Sequence, residues 1–243
     1  MTILKRLGIN RKKSAKSSRG RLIVLDGIDG SGKSTQLELL NKELKLGGFE
    51  TEVIHFPQHG TPSAVMVDYY LAGRYGQLNA YATSIFYAVD RFDAKSQISA
   101  WLDSGKIVLS DRYVIANAGH QGGKIEDDFE RLKFFKWLDN LEYNIFGIPK
   151  PDLNIILNLP AEAAMKLLKQ RPKELDHQDN MHEKSLKHLQ NSQKVYLQIA
   201  KLFSSTKLVE CQASGKILSE SEIHNKVWEL VRRIALKDFK HQK

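Results

Sequence analysis

Cysteine is nearly absent: Cys211 stands alone among 243 residues, which excludes an internal disulfide. The eight histidines show no pairing with cysteine at zinc-site spacing. A reducing, cytoplasmic setting and no structural metal are therefore expected. No apolar run approaches the roughly 18 residues that span a bilayer, so no membrane span is expected. Acids are missing from the first 21 positions, where eight basic residues lie between Lys5 and Arg21. The net charge of +9 thus belongs to that segment, and the remaining body carries about +1. Residues 1–20, MTILKRLGINRKKSAKSSRG, are poor in large apolar groups after Ile9 and cannot offset their own ordering entropy. They are read as a disordered tail. A transit peptide to an organelle, also basic and acid-poor, and a nucleic-acid arm stay open beside that reading.

What is present is a single-domain length in which short apolar runs alternate with longer helix-like segments, the pattern of a parallel α/β sheet. Five strands are expected, at 21–26, 50–56, 106–110, 152–159 and 207–211. Helices are expected at 35–46, 62–72, 79–103, 126–142, 161–170, 181–203 and 219–236, the first closed by Gly47-Gly48 as a C-cap pair. Ligands of such sheets bind at the carboxyl ends of the strands. The body is taken as residues 21–236, with 237–243 as a C-terminal tail.

After the first strand comes GIDGSGKST, Gly27 to Thr35. Its spacing Gly27-x-x-x-x-Gly32-Lys33-Ser34, between a strand and a helix, is the phosphate-loop pattern. Glycines 27, 30 and 32 let the backbone turn its amides inward, and the following helix adds its positive dipole end. Gly27, Ile28, Asp29, Gly30, Ser31, Gly32, Lys33, Ser34 and Thr35 are the expected ATP-binding set. Lys33 would reach the β and γ phosphates and Ser34 would hold Mg²⁺ between them. A guanine-specific switch is excluded by the missing Asn-Lys-x-Asp, since Asn41-Lys42 and Asn225-Lys226 are followed by the wrong residues.

The third strand runs into Asp111-Arg112-Tyr113. Asp111 is read as a second Mg²⁺ ligand through water, or as a helix N-cap. Arg112 offers a two-pronged fork to phosphate, or an ion pair with Asp29 or Asp111. The stretch that follows, VIANAGHQGGK, is read as a glycine-broken loop presenting Asn117, His120 and Gln121 to a base edge or sugar. Upstream, Tyr87 and Arg91 are one helical turn apart and share a face. They could stack on and hydrogen-bond a base, or stand as a core aromatic beside a surface arginine.

Taken together these motifs resemble the thymidylate kinase family over about residues 20–236. In that family the phosphate loop reads G-x-[DE]-G-x-G-K-[ST], an aromatic-x-x-x-Arg follows on a helix, and DR[YFH] ends a strand. The resemblance implies a P-loop kinase fold, three layers α/β/α around a five-stranded parallel sheet with a short lid at about 171–182. It implies transfer of phosphate from ATP, with Mg²⁺, to dTMP, in a homodimer. It places Tyr87 on thymine, Arg91 on its carbonyl, Asn117 on the base edge, Arg112 on the acceptor phosphate and Asp29 near the 3′ hydroxyl. Phe56 and Pro57 shape the acceptor pocket, and His120, with Gln121, stands where the family often has tyrosine then glutamine. Arg171, with Lys173 as a possible helper, is the lid cation, and Lys33, Arg112 and Arg171 are the catalytic charges. Two departures stand out: Gln58 and His59 occupy a place where relatives usually carry arginine, and no arginine lies between Asp29 and Gly32. The alternatives are a related kinase for another nucleotide or a nucleoside, the latter using Asp26 or Asp29 as base, and a nucleotide-gated nucleic-acid-binding ATPase.

Overall fold

Leu22, Ile23, Val24 and Leu25 make one uninterrupted apolar run, and all four are fully buried in β1 (Arg21–Asp26). A strand covered on both faces reads this way, and β1 lies at the centre of the sheet. The computed structural model describes residues 19–170 and 185–239. The basic tail before residue 19, the whole of the expected lid with Arg171 and Lys173, and residues 240–243 lie outside the described residues. Around β1 stand β2 (Thr51–His55), β3 (Ile107–Asp111), β4 (Leu153–Asn158) and β5 (Thr206–Glu210), all parallel, in the order β2-β3-β1-β4-β5. Every expected strand is present, displaced by a single residue at most at either end.

The register decides which residues meet at the carboxyl edge. Asp111, the last residue of β3, is level with Leu25 of β1 and with His55 of β2. The phosphate loop leaves β1 two residues later, so Asp111 and the loop are neighbours because of the pairing.

The helices are α1 (Lys33–Leu46), α2 (Val65–Leu71), α3 (Ala80–Asp93), α4 (Lys95–Asp103), α5 (Val114–Gly122), α6 (Asp128–Asp139), α7 (Ala161–Lys169), α8 (Leu186–Leu202) and α9 (Glu220–Leu230). The expected stop of α1 is observed: Gly47 N–H donates to Glu43 O and Gly48 N–H to Lys45 O, both at 2.9 Å. The long helix expected over 79–103 is two, α3 and α4, meeting at Ala94. Helix α6 continues through a π-helical turn, Asn140–Ile145, and α9 through another, Val231–Ala235. Among the described residues no helix is long and apolar enough to cross a membrane.

A further expectation needs correction. The stretch after Asp111-Arg112-Tyr113 is not a loop: Val114–Gly122 is helix α5, and all nine of its residues are buried. Glycine lowers helix propensity, but here it admits a neighbour. A Cβ on Gly119 would run into the ring of Tyr196 on α8. Packing against α8 therefore overrides propensity. Residues 212–218 form a small antiparallel hairpin, Gln212–Ala213 with Lys216–Ile217, turning at Ser214 and Gly215.

Candidate active site

The loop from Gly27 to Gly32 is held by its own backbone and by Lys33. Lys33 Nζ donates to Gly27 O at 3.2 Å and to Ile28 O at 2.9 Å. Gly30 is obligatory, with φ of 82° and a backbone so close to α7 that a Cβ would stand 2.6 Å from Ala164 O. No side chain caps α1, which begins at Lys33 with Gly32 as its N-cap and continues through Ser34 and Thr35. Uncapped first-turn amides with the positive end of the helix dipole are anion-binding groups. Ser31 Oγ is buried without a hydrogen-bond partner among the described residues.

Arg112 sits where three chains of interaction meet. Its φ is 65°, a left-handed value that costs a non-glycine residue about 1–3 kcal/mol and persists only where neighbours fix it. Here Arg112 N–H donates to Leu25 O at 2.9 Å and Ser110 Oγ donates to Arg112 O at 2.6 Å. The turn aims the guanidinium back across the loop. Nη2 donates to Asp29 Oδ1, and Nη1 to His120 Nε2 at 2.9 Å. Because His120 accepts through Nε2, its Nδ1 carries the proton and faces His188 Nε2 at 3.2 Å. Burial pushes His188 down, which keeps that ring neutral and able to accept. For Asp29, burial acts upward but Arg112 and Lys33 outweigh it, and the carboxyl is held well below the usual carboxylate range. For Lys33, burial and Arg112 together push the ammonium down, against Asp29 and Asp111.

Asp111 is not a helix cap, since Tyr113 occupies that position of α5. Its Oδ2 accepts from Ser34 Oγ at 3.3 Å and lies 3.5 Å from His55 Nδ1, while its Oδ1 is buried without a partner among the described residues. Burial would raise this carboxyl, but His55, Lys33 and Arg112 bring it below its ordinary value.

One cavity of about 340 Å³ joins these groups to the rest of the expected set. Asp29, Ser34, Asp111 and Arg112 line its phosphate-loop side, and Tyr87, Arg91, Asn117 and Gln121 line it elsewhere. Phe56, Pro57 and His120 also line it. Phe56 is fixed against Tyr113, ring centroids 5.7 Å apart. Gln121 Oε1 is buried without a partner among the described residues. Gln58 turns away: its side chain and N–H both bond Asp90, at 3.1 Å and 2.9 Å. His59 lines the cavity and meets Asp68 at 2.5 Å.

Arg91 is not a surface arginine. It is 1% exposed, and its Nε and Nη2 both donate at 2.6 Å to Glu142, which is 0% exposed. The Nε/Nη2 edge of the fork is thus spent on Glu142, leaving the second N–H of Nη2 and both of Nη1 as the remaining donors. Asn117 Nδ2 donates to Ser84 O at 3.1 Å and approaches Glu142 Oε1 at 3.5 Å. Sequence reasoning did not reach Glu142, yet a signal existed. Arg131, Phe135, Leu138 and Glu142 follow one helical stripe and all four are buried. An acid on a core stripe is almost never buried unless paired. His55 was also missed, and there the strand register was the needed information.

These features of fold and site coincide with a known protein family. The model of the family described as thymidylate kinase matches residues 25–226. The chain belongs to the thymidylate kinase family. It is 30% identical over 227 residues to a thymidylate kinase of Afipia carboxidovorans, covering 91% of this chain and 93% of that one. Identity to a thymidylate kinase of Schizosaccharomyces pombe is 28% over 221 residues, 90% of this chain and 95% of the other. The solved thymidylate kinase structure from Candida albicans superposes with a TM-score of 0.71 at 23% identity, over 88% of this chain and 92% of that one, a likeness of fold. Family membership makes the chain a phosphotransferase of the nucleotide kinase type.

Proposed function

We propose that the chain transfers the γ-phosphate of ATP to dTMP, giving dTDP. The observation that carries this is the continuity of one cavity from the phosphate loop to Tyr87, Arg91 and Asn117, with Arg112 on its lining. Donor phosphates sit on the loop amides and Lys33. The acceptor phosphate takes over one side of the Arg112 fork, which its ion pair with Asp29 already aims. Thymine lies on Tyr87, with Nη1 of Arg91 and the amides of Asn117 and Gln121 at its edge. His120, beside Arg112, crowds the sugar, and Asp29 faces its 3′ side.

No general base is needed, because a phosphate monoester with a second pKa near 6 is already mostly a dianion at neutral pH. The barrier is the approach of two polyanions, so alignment and fixed cations do the work. A nucleoside acceptor would need a carboxylate base instead. Asp29 is tied to Arg112, and Asp26 is buried off the cavity, accepting from Tyr196 Oη at 2.6 Å and Gly27 N–H at 2.8 Å.

The donor set fits Mg²⁺. Asp111 offers a buried carboxylate oxygen with no partner among the described residues and Ser34 a hydroxyl beside it, hard oxygens of the kind Mg²⁺ takes one or two of besides phosphates and water. Bound there with ATP, Mg²⁺ supplies charge neutralisation on the phosphate oxygens. Arg171, and Lys173 with it, are assigned to the donor phosphates on the resemblance alone.

Homodimerisation is supported by an apolar stripe on α3. Tyr81, Ile85, Val89 and Phe92 are each 38–47% exposed and repeat at helical spacing. Contiguous exposed apolar surface of this kind marks association. A cytoplasmic setting rests on the lone, buried Cys211, whose thiol burial pushes up to about 12.

The test is ADP release with Mg-ATP and dTMP, dUMP, dCMP, GMP or thymidine, on the full chain and on one lacking residues 1–18. Preference for dTMP in both is expected. Thymidine as the better acceptor, or acceptor-independent hydrolysis stimulated by nucleic acid, would reject the reading.

A further inference from the structure

Between the sheet and helices α5 and α6 lies a second cavity of about 400 Å³. Asn154 and Thr206 stand at the amino ends of β4 and β5 and are register partners, so their side chains leave the sheet on the same face. Both line the cavity. Asn154 is 4% and Thr206 2% exposed, and neither Asn154 Oδ1 nor Thr206 Oγ1 has a hydrogen-bond partner among the described residues. Buried polar side-chain atoms are paired in the large majority of cases, and leaving one unpaired costs about 1–3 kcal/mol. Two on adjacent strands, facing one cavity, are the polar floor of a site.

The walls mix apolar side chains with Ser204, Ser205, Asp139 and Lys150. Val114, Ile115 and Ala118 come from α5, Phe135 and Leu138 from α6, and Phe203 follows α8. At the mouth Lys150 lies 4.0 Å from Asp139 and 4.9 Å from the centre of the Tyr143 ring. A few convergent polar groups in a mostly apolar cavity of several hundred Å³ are what small-molecule sites look like. No residue lines both this cavity and the acceptor cavity, so this is a separate place.

Its walls are nevertheless shared with the acceptor site. Helix α5 gives Val114, Ile115 and Ala118 to this cavity and Asn117, His120 and Gln121 to the other. Tyr143 at the mouth adjoins Glu142, which holds Arg91. A body seated here presses on the two elements that orient the acceptor-binding groups.

We propose that this cavity is an effector site for a compact, planar, mostly apolar molecule carrying an N–H or O–H donor on its inner edge, a heteroaromatic or phenolic ligand, whose binding alters the affinity for the acceptor. The donor meets Asn154 Oδ1, with Thr206 Oγ1 beside it, and the flat body fills the space between α5, α6 and Phe203. Coupling of this sort between two sites is worth about 5- to 150-fold in affinity at most sites where it is known, and a small probe should show the lower end.

The probes are indole and 1-methylindole, the second lacking the donor, titrated into the full chain. Binding is followed by amide and side-chain amide shifts in two-dimensional NMR. Indole is expected to saturate the Asn154 side-chain amide and the Ala118 amide with a Kd of about 1 mM, as suits a fragment of its size. 1-Methylindole should bind about fivefold more weakly, the worth of one hydrogen bond. Thr206→Val, isosteric and fold-preserving, should weaken indole and leave 1-methylindole unchanged, and Ala118→Leu should block both. Saturating indole should change KM for dTMP about fivefold, the lower end of such coupling, and leave KM for ATP alone. This second readout rests on the acceptor assigned above, and a dTMP titration without probe tells its failure apart. No saturable shift at these residues, equal binding of the two probes, water alone in the cavity, or binding that leaves KM for dTMP unchanged would each overturn the proposal.

Discussion

Replacing Glu142 by glutamine tests the buried pair that anchors the acceptor end of the site. Glu142 is 0% and Arg91 1% exposed, and two charge-assisted bonds of 2.6 Å join them. Burial alone would push the Arg91 guanidinium down, and the carboxylate more than reverses this, so that Arg91 is raised. The glutamine keeps the volume but removes the charge, and turns an NH₂ group toward a donor. Breaking a buried pair by removing one partner costs about 3–5 kcal/mol, because the remaining charge is left uncompensated. At about 2–4 °C per kcal/mol for a chain of this size, Tm should fall by roughly 6–20 °C. The same change frees the arginine whose Nη1 is assigned to the base, so KM for dTMP should rise about tenfold to a hundredfold, the worth of one charged hydrogen bond. KM for ATP should hold.

A double variant separates the two effects. Arg91→Met with Glu142→Leu replaces the pair by apolar groups, which is often neutral or stabilising. Its Tm should return to within a few degrees of the parent's, while KM for dTMP stays high. The assays are thermal denaturation followed by circular dichroism and steady-state kinetics with each substrate varied. A Tm within 2 °C of the parent in Glu142→Gln, taken as about 1 kcal/mol or less, would refute the reasoning. So would a double variant no more stable than the single one.

Four further outcomes are expected. Arg112→Ala should retain ATP binding, measured by calorimetry, and lose turnover by about 10³ to 10⁵, the span reported for arginines in phosphoryl transfer; near-normal turnover would remove Arg112 from the mechanism. Burial brings the Lys124 ammonium down to about 8, below its unfolded value near 10.4, so the unfolded chain binds more protons between those limits and stability should rise with pH across them. Lys124→Met should therefore be about 1 kcal/mol more stable at pH 7, after discounting for solvent screening and for the bond to Tyr70 Oη at 2.7 Å, with a gap that closes by pH 10 in urea titrations; a constant gap would contradict the sign. Val89→Glu on the exposed α3 stripe should yield monomer by light scattering where the parent is dimeric, and an unchanged mass would place the interface elsewhere. Gly119→Ala should cost about 1–3 kcal/mol through overpacking against Tyr196, read from the denaturant midpoint, and a neutral effect would show that α8 yields there.

The phosphate loop, Asp111-Arg112-Tyr113 and the strands were legible because each is written in contiguous residues: an apolar run, a glycine spacing, an acid and a base at a strand end. Helix α5 was not, because its glycines carry two meanings. Locally they signal a break, and only the ring of Tyr196, 77 residues away from Gly119 in the chain, turns one of them into a contact. The cavity assignments of Asn117, His120 and Gln121 survived that error, since a helix still delivers the first two to one side by their spacing of three. Glu142 is the opposite case. It belongs to no motif and its partner is 51 residues distant, yet the stripe Arg131, Phe135, Leu138, Glu142 places an acid where only a compensated one can stay. Tyr87 and Arg91 were chosen as a pair for their shared face, but that spacing fixes where the arginine starts and not where its fork points. The buried acid fixes the fork, by taking the Nε/Nη2 edge, so the N–H groups that remain on Nη1 and Nη2 are oriented by Glu142, a residue that does not itself line the cavity.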